Sequence, residues 1–243
     1  MRHTHHHIVR SWRQETRLLH IVLAGFLPAF FLISLGAYAR VSFAEIASAL
    51  ALSLTRLFIA YAISLLLGVA IAVAVGMHQK GGEKWMTIFD VAQNVPSFAL
   101  IPVFAFITGY SNGMIIAFAT TSIIWPILFS TLTAIRTAHP SLNEAATVFG
   151  ARGWKRVRYY LVPLAHPALV TGSIVGISIG WEAVIGAEII GGMQGIGLFL
   201  NNASARADTP LLLAGLAALL LTVFLINRIL WSPLLKHTYE YSE

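Results

Sequence analysis

Six apolar runs divide this chain, each of roughly 18 to 25 residues, the length an α-helix needs to cross the hydrocarbon core of a bilayer. They lie at 19–39, 54–77, 87–108, 113–135, 168–190 and 209–231. No water is available there to satisfy backbone polar groups, so continuous apolar runs of this kind cross as helices. The prediction is an all-α integral membrane protein with about six transmembrane helices. Composition agrees where it matters. Only 11% of the 243 residues are charged, against about a quarter in soluble domains.

The net charge of +6 points to topology rather than to nucleic acid, because the cations sort by side. Arg2, Arg10, Arg13, Arg17, Lys80, Lys84, Arg136, Arg152, Lys155, Arg156, Arg158, Arg228 and Lys236 fall on one side of the six spans. Arg40, Arg56 and Arg206 fall on the other. The positive-inside rule puts both termini and the 136–167 loop in the cytoplasm. The chain then divides into a basic, His-rich N-terminal segment (1–18), a transmembrane domain (19–235) and a short C-terminal tail (236–243). His3, His5, His6 and His7 read as a solvated tail, since flexible histidines alone fix no coordination geometry. The basic segment ahead of the first run has no small-residue cleavage site after it, so no secretory signal is predicted.

Several spans carry features that need explaining. Residues 40–53 read as a short amphipathic helix capped by Ser42 ahead of Glu45. Arg56 enters the next run within its first turn. Either it snorkels to the headgroups or it helps an anion enter a pathway. Pro96 and Pro102 interrupt the third run, which predicts a bent or broken helix, for packing or for lining a pathway. In the fifth run Gly172, Gly176 and Gly180 align on one face and predict close approach of a neighbouring helix. Glu182 and Glu188 follow. At 100° per residue they point about 120° apart and do not share one narrow site on a regular helix. Each would cost about 2.5–3.5 kcal/mol at the bilayer centre, so each needs a partner or water. Gly191, Gly192, Gly195 and Gly197 suit a tight turn before a short helix around 198–205.

The longest polar interruption, 140–163, is structured. Ser141 followed by Glu144 reads as a capping box, and Gly150 as the stop after about two turns. A second short helix carrying Lys155, Arg156 and Arg158 is predicted to run to Pro163.

Chemistry for driving transport is missing. Gly76-Met77-His78-Gln79-Lys80-Gly81-Gly82-Glu83 keeps the glycine spacing of a phosphate loop but has Gly82 where its lysine must stand. Neither a nucleophile elbow nor a His-Glu-x-x-His motif occurs. Cysteine is absent, which removes thiol catalysis and cysteine metal sites.

Glu144-Ala145-Ala146-Thr147-Val148-Phe149-Gly150-Ala151, followed by Val162-Pro163, resembles the Glu-Ala-Ala signature of permease subunits in ABC importers. Ser53-Leu54-Thr55-Arg56, Val95-Pro96-Ser97-Phe98-Ala99-Leu100-Ile101-Pro102, Trp181, Ala187-Glu188 and Gly195-Ile196-Gly197-Leu198 resemble the nitrate, sulfonate, taurine and bicarbonate branch, in order, over roughly residues 50–235. Ala60 stands where that branch commonly has glycine, and Glu182 is an added charge. The resemblance implies a type I importer (MetI-like) permease fold in a bacterial or archaeal inner membrane. It implies two ATP-binding cassette subunits, which bind ATP and Mg, a second identical or different permease subunit, and an extracytoplasmic binding protein. This chain would bind no cofactor, metal or nucleic acid and would have no enzymatic activity of its own. Ser141, Leu142, Glu144, Ala145, Ala146, Phe149, Gly150 and Ala151 are the expected ATPase-coupling residues. Arg56, Pro96, Pro102, Glu182 and Glu188 are the pathway candidates. The cargo implied is a small anion, with a neutral metabolite or cofactor precursor as the alternative. An ion-coupled secondary transporter is the other class; it would have to work through Asp90, Glu182 and Glu188.

Overall fold

A computed structural model describes residues 25–34, 42–77 and 82–235, and those residues form helices and their connections with no strand among them. The histidine cluster, the C-terminal tail and most of the glycine-spaced segment after Gly76 lie outside the described residues. Of the first predicted span, the described part is helix α1, Gly25–Ser34.

Helix α2, Phe43–Met77, is 35 residues long, about 52 Å at 1.5 Å per residue. The short helix predicted for 40–53 is therefore the first part of this rod and not a separate element. Nothing in 43–54 breaks it: there is no proline, and Ser48 returns its hydroxyl to the Glu45 carbonyl at 2.9 Å. Ser42 precedes the first helical residue and its carbonyl accepts from Glu45 N–H at 3.1 Å.

The third predicted span is broken, as its prolines demand. Helix α3, Gly82–Gln93, ends before Pro96; a 3-10 turn at Ser97–Leu100 leads into α4, Ile101–Thr108. The two arms meet at 80°. The prolines act differently. Pro96 sits in the joint, where no helical N–H is required, whereas Pro102 occupies the first turn of α4, where its missing donor costs nothing.

Helix α5, Asn112–Arg136, matches its predicted span, whereas helix α8, Val162–Gly191, begins earlier than the predicted 168; together they make the central contact of the fold. The glycine stripe is the reason. A Cβ at Gly172 would stand 2.7 Å from the Pro126 carbonyl oxygen, and one at Gly180 would stand 2.7 Å from both Ile123 and Leu57. Small residues thus let α8 press its backbone onto α5. Helix α2 packs against both α5 and α8, with Leu57, Phe118, Ile123, Ile127 and Val184 fully buried among the three. Ser64 donates to the Thr120 carbonyl at 3.0 Å across that seam. Pro126 lies inside α5 without ending it.

Between α5 and α8 come α6, Pro140–Val148, and α7, Trp154–Arg156. Helix α9, Ile196–Ala205, and α10, Thr209–Ile226, follow, α10 running on through a π turn at Asn227–Trp231, and α1 rests against Phe224 of α10. Among the described residues four helices are long and apolar enough to cross a membrane, and the bent pair makes five.

Candidate functional site

The two ends of the bundle differ. At one end the polar 140–163 segment folds as predicted in outline and differently in its caps. The N-cap of α6 is His139, whose ring nitrogen accepts from Ser141 N–H at 3.3 Å. Pro140 takes the first helical position, where its fixed φ is already helical. Ser141 is therefore inside the helix, bonded to the His139 ring at 2.7 Å, and the Ser141–Glu144 capping box does not form. Glu144 pairs with no other described residue and stays exposed.

The C-terminus is as predicted. Gly150 has φ +74°, Gly150 N–H reaches the Thr147 carbonyl at 3.0 Å, and Ala151 N–H reaches the Ala146 carbonyl at 2.9 Å. That is a Schellman motif, in which a left-handed residue lets the last carbonyls find donors. It turns the chain back after nine residues.

The second short helix does not stop at Pro163. Trp154–Arg156 winds through a π turn at Val157–Leu161 and continues as α8, giving one unbroken run from Trp154 to Gly191. The wider turn just before Pro163 accommodates its ring and missing donor, so the proline shapes the helix without ending it.

No residue of α6 is buried. Phe149 is 89% exposed and Trp154 is 73% exposed, and a groove between α6 and α7 is lined by Leu142, Ala146, Phe149, Ala151, Lys155 and Tyr159. Ala145 and Ala146 keep the helix surface low enough for another backbone to approach. What holds this bare helix is Arg156. Its guanidinium donates to Asn143 Oδ1 and lies 5.9 Å over the Tyr160 ring.

At the other end Arg56 neither snorkels nor faces open space. It is turned inward and 5% exposed. Its Nη1 donates to Glu188 Oε1 at 2.6 Å and to the Gln194 carbonyl at 2.5 Å, and its Nε donates to Asn112 Oδ1 at 2.9 Å. Glu188 is fully buried and takes further donors: Ser53 Oγ at 2.8 and 3.0 Å, and Gly197 N–H at 2.9 Å. Ile196 N–H completes the ring by donating to Ser53 Oγ at 2.9 Å. Carboxylate and helix α9 thus meet at the α9 N-terminus, where free N–H groups and the helix dipole favour a negative charge. Arg56 and Glu188 are spent on each other. Neither Ser53 nor Asn112 was expected in this role. Ser53 was findable, since three residues before Arg56 is the same helix face; Asn112 is brought in only by the fold.

Glu182 and Glu188 diverge as their spacing requires: Glu182 is exposed while Glu188 is enclosed. Pro96 stands in the exposed joint, and next to it Phe98 fills the space beside Gly186, where a Cβ would come within 2.5 Å of its ring.

Comparison with known proteins agrees with this arrangement. The family described as binding-protein-dependent transport system inner membrane component matches residues 64–230. The taurine transport system permease protein TauC of Escherichia coli (strain K12) is 27% identical over 178 residues, 73% of this chain and 65% of that one. The riboflavin transport system permease protein RibX of Chloroflexus aurantiacus is 32% identical over 148 residues, 59% of this chain and 54% of that one. The nitrate import permease protein NrtB of Leptolyngbya laminosa is 28% identical over 193 residues, 74% and 67% respectively. The chain spans between 54% and 67% of the length of these relatives. Among solved structures, the MetNI methionine ABC transporter in inward-facing conformations superposes with a TM-score of 0.71 at 17% identity, covering 81% of this chain and 97% of that one. That likeness is one of fold. With the family match spanning 167 of the 243 residues, the chain belongs to the inner membrane components of binding-protein-dependent transport systems.

Proposed function

We propose that this chain is the membrane-spanning permease subunit of an ATP-driven importer, and that α6 is the element through which separate ATPase subunits act on it. The observation that carries the reading is α6 itself. A nine-residue helix with no buried residue, closed at both ends and tied back by Arg156, has a surface built for something outside the chain. Leu142 and Phe149 supply apolar anchors, Ala145 and Ala146 the close approach, Gly150 and Ala151 the turn back; Ser141 and Glu144 sit at its polar rim. The basic residues around it support a cytoplasmic side for this end and for the 1–18 and 236–243 segments, in a bacterial or archaeal cell.

ATP and Mg belong to the two partner subunits; this chain contributes only their landing surface. A second permease subunit would face it across the pathway, with a binding protein over the α9 end. Coupling is then a population shift. Closure of the ATPases favours one state of the bundle through contacts with α6 that differ between states. The cargo would be a small solute of the kind that the names of its relatives indicate, an anion or zwitterion such as taurine, nitrate or bicarbonate, with a cofactor precursor such as riboflavin as the alternative. Pro96, Pro102 and Glu182 remain the pathway residues, whereas the burial of Arg56 and Glu188 favours a structural duty for both. That burial also leaves an ion-coupled mechanism only Asp90 and Glu182 to work with.

The test is Leu142→Ala with Phe149→Ala. Both side chains are exposed, so the purified chain should keep its unfolding midpoint. Copurification with the ATPase subunits and transport-coupled ATP hydrolysis should both fall at least tenfold. Survival of both activities would remove α6 as the coupling element.

A further inference from the structure

Glu182 lies on α8 about 14 Å from its Gly191 end at 1.5 Å per residue, within the apolar bundle, and it is exposed. It is not an isolated accident of the surface. Thr171, Val175 and Ser178 fall within about 40° of it at 100° per residue, and all three are exposed as well. The glycine stripe packed on α5 lies further round α8, about 80° to 160° from Glu182 at the same 100° per residue. One helix therefore has a packed face and a polar face at membrane depth. Lipid is a poor neighbour for the second, since an acidic side chain there costs about 2.5–3.5 kcal/mol.

The polar stripe does not stand alone. One and two turns from Glu182, Ile179 and Val175 form one wall of a groove whose other walls carry Gln93, Ser97, Ser122 and Ser130 beside Trp125, Pro126 and Phe129. Gln93 is in turn bonded to Asp90 at 3.2 Å. The joint of the broken span reaches the same level, because Phe98 fills the space beside Gly186, four residues from Glu182. Non-helical backbone at this depth is tolerated where it borders water or protein, not lipid.

The sign of the charge is as informative as its depth. Asp90 and Glu182 are acidic, and the remaining polar groups are neutral hydroxyls and amides. Among the described residues no lysine or arginine lines this stripe or groove. Arg56 is enclosed with Glu188, and the other described cations lie at helix ends and in the 140–163 segment. We propose that the Glu182 stripe and the adjoining joint form a solute-contacting wall that favours a small solute bearing a protonated amine, such as a zwitterion, over an inorganic anion. This rests on the permease reading above and narrows its cargo class. The amine would lie against Glu182 with the Ser178 hydroxyl one turn away on the same face. A simple anion would meet like charge with nothing to offset it.

The chain contains no cysteine, so single thiols can be placed without background. Ser178→Cys, one turn from Glu182 and nearly isosteric, is labelled in membrane vesicles with two water-soluble methanethiosulfonates, one carrying trimethylammonium and one carrying sulfonate. For a charge about 7 Å away in water, Coulomb's law gives about an eightfold preference for the cation over the anion, each rate normalised to a free thiol. Adding Glu182→Gln should bring that ratio to about one. Reaction with both reagents at equal normalised rates while Glu182 is intact overturns the amine preference and leaves the pathway reading standing. Reaction with neither, or a spontaneous disulfide-linked dimer through the new thiol, places the stripe in lipid or against a second copy and overturns both.

Discussion

Removing Arg56 and Glu188 together should damage this protein less than the two single removals added up. Arg56→Met leaves a fully buried carboxylate whose remaining donors are Ser53 Oγ and Gly197 N–H, and it orphans Asn112 Oδ1 and the Gln194 carbonyl. Breaking one side of a buried ion pair costs about 3–5 kcal/mol, because the other charge stays behind uncompensated. Glu188→Leu should cost about as much, since it strands the Arg56 guanidinium. The double variant removes both charges, so its cost should fall at least about 2 kcal/mol short of the sum of the single costs. Tryptophan fluorescence of the purified chain during denaturant titration reads all four corners of the cycle. A second arm sharpens it. Exchanging the two as Arg56→Glu with Glu188→Arg should not restore stability, because Gly197 N–H, Ser53 Oγ and the α9 N-terminus would then point at a cation. Additive single costs, within about 0.5 kcal/mol, would refute the claim that the pair is one unit. Full rescue by the exchange would refute the role given to the α9 N-terminus.

Three other outcomes follow from the structure. Gly197→Ala places a Cβ 2.5 Å from the Ile185 carbonyl oxygen and should cost about 1–3 kcal/mol by overpacking, read as a lower unfolding midpoint. Ala207 joins α9 to α10 with φ +52°, a conformation costly for any residue with a Cβ, so Ala207→Gly should raise stability by up to about 1 kcal/mol; a lower midpoint would contradict it. Arg156→Lys loses the bond to Asn143 and the planar contact with Tyr160, so it should uncouple ATP hydrolysis from transport while the unfolding midpoint shifts little, and unchanged coupling would count against the tie.

The spans that are apolar from end to end were legible to within a few residues, because length and hydropathy alone set them: α5 and α10 begin within one residue of expectation. So were the glycine stripe, whose spacing is the packing face, and the Gly150 turn, whose left-handed conformation only glycine adopts freely. Boundaries set by competition between neighbours were not legible. Ser141 looked like the cap of α6, yet His139 and Pro140 together start the helix one turn's fraction earlier. Pro163 looked like a stop, but a π turn, which no periodicity announces, carries the helix through. Arg56 was misplaced for a deeper reason. Its partner is 132 residues away, and from its own neighbourhood a charge near the end of an apolar run looks like one reaching for water.

The π turn at Val157–Leu161 has a meaning for how such chains can vary. Between Trp154 and Glu188 the helix is one object, so adding a residue anywhere along it would rotate everything beyond by 100°. Glu188 would swing out of its enclosure, and the Glu182 stripe would turn onto α5. A π turn holds one residue more than an α turn, and it can take up such an insertion locally while both ends keep their phase. The segment from Leu161 to Glu188 should therefore resist any change in length, and variation in residue number should collect at the π turn or in the loop before Trp154.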